Sequence, residues 1–159
     1  MLELRDLKKT YGGRTVLGGG GIVPDVVVTT ADSGRASRAL QSALGGKAAQ
    51  FRRSVASYAA SIKGSIASAD FAITPHMRDA LYRRLAADSI IVDRRTYDAA
   101  APLVDRLLGA EIARSAFGAR AAFERGLESD LMVRKARALL TGVTSPAALI
   151  GRAAETASR

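Results

Sequence analysis

The chain has 159 residues, a formal net charge of +9, 48% hydrophobic but only 5% aromatic residues, and neither Cys nor Trp. That length fits one domain, or one domain with a short appendage, and the missing cysteine excludes a disulfide framework, a thiol nucleophile and any thiolate metal site. A core must then come mainly from Ala, Leu, Val and Ile, and small Ala-rich helices bury little area each at about 25 cal/mol per Å².

The first thirty residues differ in kind from the rest. Leu2, Leu4 and Leu7, separated by charges, predict a half-buried strand. Tyr11-Gly12-Gly13-Arg14 reads as a turn, because glycine accepts the positive φ of a hairpin connection, and Thr15 to Leu17 can pair back. Gly18, Gly19, Gly20 and Gly21 form a flexible link, and Val26 to Thr30 is a β-branched run suited to a strand. Pro24 holds Val23 extended and lacks an N–H, which puts it with Asp25 at that strand's entrance.

From Asp32 onward the pattern is helical. Ser33 to Leu44 predicts a first helix closed by Gly45-Gly46, and Ala48 to Ala67 a second, with Phe51, Val55, Tyr58, Ile62 and Ile66 on one face. Thr74-Pro75 is a capping hydroxyl followed by proline, opening a third helix that turns Met77, Leu81 and Leu85 inward. Asp93 caps the next, which reaches Gly118 with Pro102 either kinking it or separating a preceding turn. Phe123, Leu127, Leu131, Leu139 and Leu140 suggest one or two more helices, and Ser145-Pro146 starts a last one. The predicted class is α+β, mostly α: an N-terminal β hairpin and strand (residues 1–31), then a helical bundle (32–159) of about five or six helices.

The sequence holds little that looks like chemistry. The four glycines lead into Pro24-Asp25 and a strand rather than a helix, so they do not build a phosphate cradle, and no nucleotide cofactor is expected. Ser61 and Lys63 stand two apart and therefore point to different helix faces. His76, the single histidine, lies in the first turn of a helix without a partner cluster, and no Asp or Glu pair has metal-ligand spacing with it, so no metal is expected. Asp70, Asp79, Asp88 and Asp93 read as caps and surface charges, and Tyr58, Tyr82 and Tyr97 as packed rings with hydroxyls toward water. The arginines are scattered among acids rather than gathered on one face, which argues against nucleic acid as partner. No apolar run approaches the ~20 residues of a membrane helix. The opening MLELRDLKK is too charged for the core of a secretory signal.

The segment GGRTVLGGGGIVPDVVV resembles the end of the protease domain in the carboxyl-terminal processing (tail-specific) peptidases, through Gly13, Arg14, Gly18, Gly19, Gly20, Gly21, Ile22, Pro24, Asp25 and Val26. FAITPHMRDALYRRLAA and YDAAAPLVDRLLGAEIARSAFG are similar to the helical C-terminal extension of some bacterial members. The resemblance implies a serine peptidase with a Ser-Lys dyad and a peptide-binding module, both ahead of the Gly-Arg turn. The expectation is thus the C-terminal portion of such an enzyme, inactive alone because dyad and module are absent, with Gly13 to Asp25 serving a structural role and no residue a catalytic one. Its partners would be the rest of the protease domain or a second copy, with protein or peptide substrates met only through the parent enzyme. Parents of this kind are often exported or periplasmic, which leaves the compartment open. Two rival readings are a stand-alone helical interaction module and a basic nucleic-acid-binding protein.

Overall fold

The computed structural model describes residues 8–11, 14–17 and 31–157, with side chains described from 34 to 153. The chain forms two compact units, Val28–Ala138 and a second made of Met1–Val27 with Leu139–Arg159.

The α+β class is overturned: among the described residues the fold is a helical bundle. Extended structure among the described residues is confined to two four-residue segments, Lys8–Tyr11 (β1) and Arg14–Leu17 (β2), which run antiparallel and join no further strand. An isolated two-stranded pair of this length is only marginally stable by itself. The strand expected over Val26 to Thr30 lies outside the described residues. Helices are also more numerous than the predicted five or six, because capping residues cut the helical stretches more often than hydrophobic periodicity suggests.

The larger unit starts with α1 (Ala31–Leu44), a 3-10 turn at Gly45–Lys47, and α2 (Ala48–Ile62) ending in a second 3-10 turn at Lys63–Ser65. Then come α3 (Pro75–Ala87), α4 (Arg94–Ala99), α5 (Ala101–Phe117), α6 (Ala119–Ser129) and the start of α7 (Leu131–Leu140). Local chemistry sets these boundaries. The Thr74 hydroxyl accepts from the Met77 N–H at 3.2 Å, with Pro75 at the first helical position, and the Asp93 carboxylate accepts from Thr96 N–H at 2.9 Å. Pro102 occupies the first turn of α5, where its missing N–H costs nothing, so the segment before it is the separate helix α4 rather than the arm of a kink. Gly118 stops α5 with φ +91, a conformation that L side chains rarely adopt.

Helix α5 is the centre of the unit. It packs on α1, α2, α3, α4 and α6, and Val104, Leu108 and Ile112, four apart on one stripe, have no exposed surface. Around them lie Leu40 and Leu44, Phe51, Val55 and Ala59, Leu81 and Leu85, then Ile90, Val92 and Tyr97. The inward stripe expected on α2 is seen at Phe51 and Val55, with Tyr58, Ile62 and Ile66 partly buried against the same core.

Two tyrosines differ from expectation. Tyr97 is buried, its hydroxyl donating to the Arg78 carbonyl at 3.0 Å, and the Tyr82 hydroxyl donates to the Val92 carbonyl at 2.9 Å. A buried phenol must find an acceptor, and here helix and loop carbonyls lie nearer than water. Burial pushes the Tyr97 phenol above its ordinary range.

In the smaller unit, the end of α7 turns at Gly142 (φ +72) into α8 (Pro146–Ala157). The Ser145 hydroxyl accepts from Ala148 N–H at 3.3 Å, capping α8 as predicted. The Arg152 guanidinium donates back to the carbonyls of Leu139 and Thr141, tying α8 to the turn before it.

Candidate interaction surface

Helix α6 rests on α5 through small residues. Gly109 of α5 and Ala122 of α6 are buried, and the Arg125 side chain crosses directly over Gly109: a β-carbon there would stand 2.6 Å from Arg125 Nε. The same guanidinium lies 4.0 Å from the centre of the Phe71 ring, a stacked cation–π arrangement. With Ala122 and Arg125 turned inward, the large apolar side chains of α6 face the other way. Phe123 is 67% exposed and Leu127 39%, and as residues four apart they share one face.

Asp130 ends α6 and starts α7. Its N–H donates to the Leu127 carbonyl at 3.3 Å, and its carboxylate accepts from Met132 N–H at 2.7 Å and Val133 N–H at 3.2 Å. One residue thus hands the chain from a helix with an outward apolar face to another, on which Leu131 is 43% and Met132 67% exposed. Among the described residues of the larger unit, five of the six exposed large hydrophobics fall between Phe117 and Met132, the exception being Ile91. Scattered exposed apolar residues are ordinary; such a concentration along successive helices is the mark of a surface that meets something.

Charge separates the two helices. Exposed Glu124 and Glu128 on α6 offset Arg120, whose Nε donates to Glu124 at 2.8 Å. Helix α7 carries Arg134, Lys135 and Arg137 and no acidic residue. Lys135 falls four residues after Leu131 and so stands beside it, whereas Arg134 and Arg137, three apart, line the polar side.

Two other features bear on chemistry. An open groove of about 540 Å³ runs between α5, α6 and the segment before α3, lined by Phe71, Ile73, Asp105, Arg106, Arg125 and Glu128, among others. Its charges are mixed, and Asp105 is held by Arg78, whose Nη1 donates to both carboxylate oxygens at 3.1 and 2.9 Å.

A polar cluster joins α2 to the end of α3. The buried Ser54 hydroxyl donates to the Asp88 carboxylate at 2.6 Å, Gln50 donates to the Asp88 carbonyl at 2.6 Å, and Lys47 Nζ to the Ser89 carbonyl at 2.7 Å. The Ser54 bond holds the Asp88 carboxyl below the ordinary aspartate range, helped by Arg84 and opposed by partial desolvation. The three bonds tie α2 to the end of α3, and the cluster reads as a latch between helices. Asp88 is therefore more than the surface charge the sequence suggests; nothing local to it announces Ser54, which lies 34 residues earlier.

Of the motif residues, Arg14 lies on β2 opposite Tyr11. Gly13, Gly18, Gly19, Gly20, Gly21, Pro24 and Asp25 lie outside the described residues. His76 is exposed in the first turn of α3. No group of three His, Asp or Glu among the described residues could hold a metal ion, and no described helix is long and apolar enough to cross a membrane. Comparison with models of known families, with curated proteins and with solved structures finds no match.

Proposed function

We propose that the chain is a helical protein-interaction module that serves a carboxyl-terminal processing peptidase and has no peptidase chemistry of its own. The observation that carries the interaction role is the outward apolar face of α6, where Phe123 is 67% exposed on a helix seated on α5 through small residues, with Met132 of α7 exposed to the same extent. An exposed phenyl ring on a fixed helix is a good anchor for a partner, since little side-chain entropy is lost on docking. The peptidase connection rests on the resemblance of Gly13 to Val26 and of the two helical segments. Its non-catalytic character is supported by the buried serine, Ser54, whose hydroxyl donates to the Asp88 carboxylate rather than to a lysine.

Isothermal titration of the chain into a carboxyl-terminal processing peptidase from the same organism tests the reading. Saturable binding that Phe123→Asp abolishes, with an unchanged melting curve, is expected. A folded chain that does not bind, or that alone cleaves unstructured peptides at their C-termini, overturns it.

A further inference from the structure

We infer that the groove between α5, α6 and the segment before α3 binds a small organic carboxylate with an apolar body, its charge taken by Arg125. The groove lies within the larger unit, on the side of α6 turned toward α5, and does not involve the outward face that carries Phe123. Its volume of about 540 Å³ falls within the roughly 300–1,000 Å³ of small-molecule sites. Phe71, Ile73, Pro102 and Ala110 give it an apolar lining. Arg125 is fixed in place: its guanidinium lies 4.0 Å from the centre of the Phe71 ring and crosses Gly109, where a β-carbon would stand 2.6 Å from Nε. Yet among the described residues it makes no hydrogen bond or ion pair, and none of its nitrogens is sealed from solvent. A half-buried guanidinium held without a carboxylate has given up hydration that an anion in the groove would replace.

The remaining charges set the ligand's sign. Asp105 is closed by Arg78, whose Nη1 reaches it at 2.9 Å. Of the carboxylates beside the groove that do not line it, Glu124 pairs with Arg120, Glu111 with Arg114, and Asp130 accepts from the first turn of α7; Asp70 precedes Phe71 in the chain. Two guanidiniums, Arg106 and Arg125, are thus set against one carboxylate, Glu128, in the lining. Arg106 stands three residues before Gly109 and so shares the face of α5 that Arg125 crosses. A monoanion fits that balance. A cation would meet both guanidiniums, and a dianion such as a phosphate monoester would meet Glu128 with twice the charge. A planar carboxylate matches the fork of a guanidinium already held by ring and backbone, so little side-chain entropy is lost on binding.

The test titrates phenylacetate, its neutral amide and phenethylamine into the full chain, followed by ligand-observed NMR. Phenylacetate is expected to bind saturably in the millimolar range, at least about tenfold more tightly than the amide or the amine, since neither offers the charged acceptor. Arg125→Met should remove that preference. Glu128→Gln, at an exposed position, should tighten phenylacetate about two- to fivefold by removing the opposing charge. Because Arg125 also seats α6, melting curves accompany each variant, and Glu128→Gln carries the test if Arg125→Met unfolds. Phe123→Asp should leave phenylacetate binding unchanged. Equal binding of acid and amide, tighter binding of the amine, or a Glu128→Gln chain that binds the acid no better, each in a folded protein, overturns the assignment. So does displacement of phenylacetate by inorganic phosphate at equal concentration, which would make the groove a general anion site. N-acetyl-alanyl-phenylalanine separates two sources of the same chemistry: binding as tight as that of phenylacetate supports a carboxylate at the end of a chain, and its exclusion supports a free acid.

Discussion

Replacing Gly109 by Ala tests how α6 is held on α5. In an exposed helix interior this change stabilises by roughly 0.5–1 kcal/mol, because glycine loses more backbone freedom on folding. At Gly109 the new β-carbon would meet Arg125 Nε at 2.6 Å, Nη2 at 3.1 Å and Cζ at 3.2 Å, all inside the 3.4–4 Å of ordinary contact. The guanidinium must therefore leave its place over the Phe71 ring, 4.0 Å away. Lost stacking is worth about 0.5–1 kcal/mol at a partly exposed site, and the forced rotamer adds about 0.5. Gain and loss nearly cancel, so Gly109→Ala alone should leave stability within about 0.5 kcal/mol of the parent. In an Arg125→Ala background the clash is gone and the full glycine gain of about 0.5–1 kcal/mol should return, a coupling of about 1 kcal/mol. Urea unfolding of the four chains of the cycle measures it. Additive effects, or a Gly109→Ala gain that does not depend on residue 125, would refute the seating of α6 through Arg125.

Three further outcomes follow from the helix ends and the polar contacts. Ser89 is the one described non-glycine residue with positive φ (+60), closing α3 with Ser89 N–H donating to Ala86 and Ile90 N–H to Leu85; Ser89→Gly should raise stability by about 0.5–1 kcal/mol in thermal unfolding, whereas Ser89→Ala should not. Tyr97→Phe removes the buried bond to the Arg78 carbonyl and should lower stability by about 1 kcal/mol in urea; an unchanged midpoint would show that the hydroxyl contributes nothing. The Asp88 carboxyl is more acidic folded than unfolded, so its contribution is present above the ordinary aspartate value near 4 and is lost as pH falls through the lower folded value. Ser54→Ala should flatten that acid limb of the stability profile, and an unaltered limb would show that the bond does not set the acidity of Asp88.

Tests of the interaction face benefit from its separation from the core. Phe123, Leu127 and Met132 are exposed, so polar replacements there should change binding and leave melting nearly untouched. The reverse holds for Leu108 and Ile112, whose burial is complete.

Much of the helical layout was legible from local chemistry. Thr74-Pro75, Asp93 and Ser145-Pro146 each start a helix because capping acts within three residues of the chain, a range that a sequence displays directly. Pro102 left two possibilities open, and its place in the first turn of α5 settles them. The β expectation failed as a fold class for a related reason: alternation and turn glycines can mark extended segments, but a sheet layer needs further strands and a face to cover. Contacts between distant residues were invisible from the start. The Ser54–Asp88 latch spans 34 residues, and the Tyr97 bond to the Arg78 carbonyl spans 19.

The candidate surface shows most clearly where sequence and structure divide. Phe123 and Leu127 have the same four-residue spacing as Val104 and Leu108, and by periodicity both pairs are core stripes. Spacing establishes that two side chains share a helix face; it carries no information on whether anything covers that face. The sequence by itself determined where α3, α4 and α8 begin and which residues share a face. Only the tertiary structure decided that α5 lies beneath five other helices while α6, drawn close through Gly109, Ala122 and Arg125, turns its largest side chains outward. The physical reason is that a helix packs where backbones can approach most closely, and on α6 the small face meets α5 while the ring of Phe123 is left for a partner.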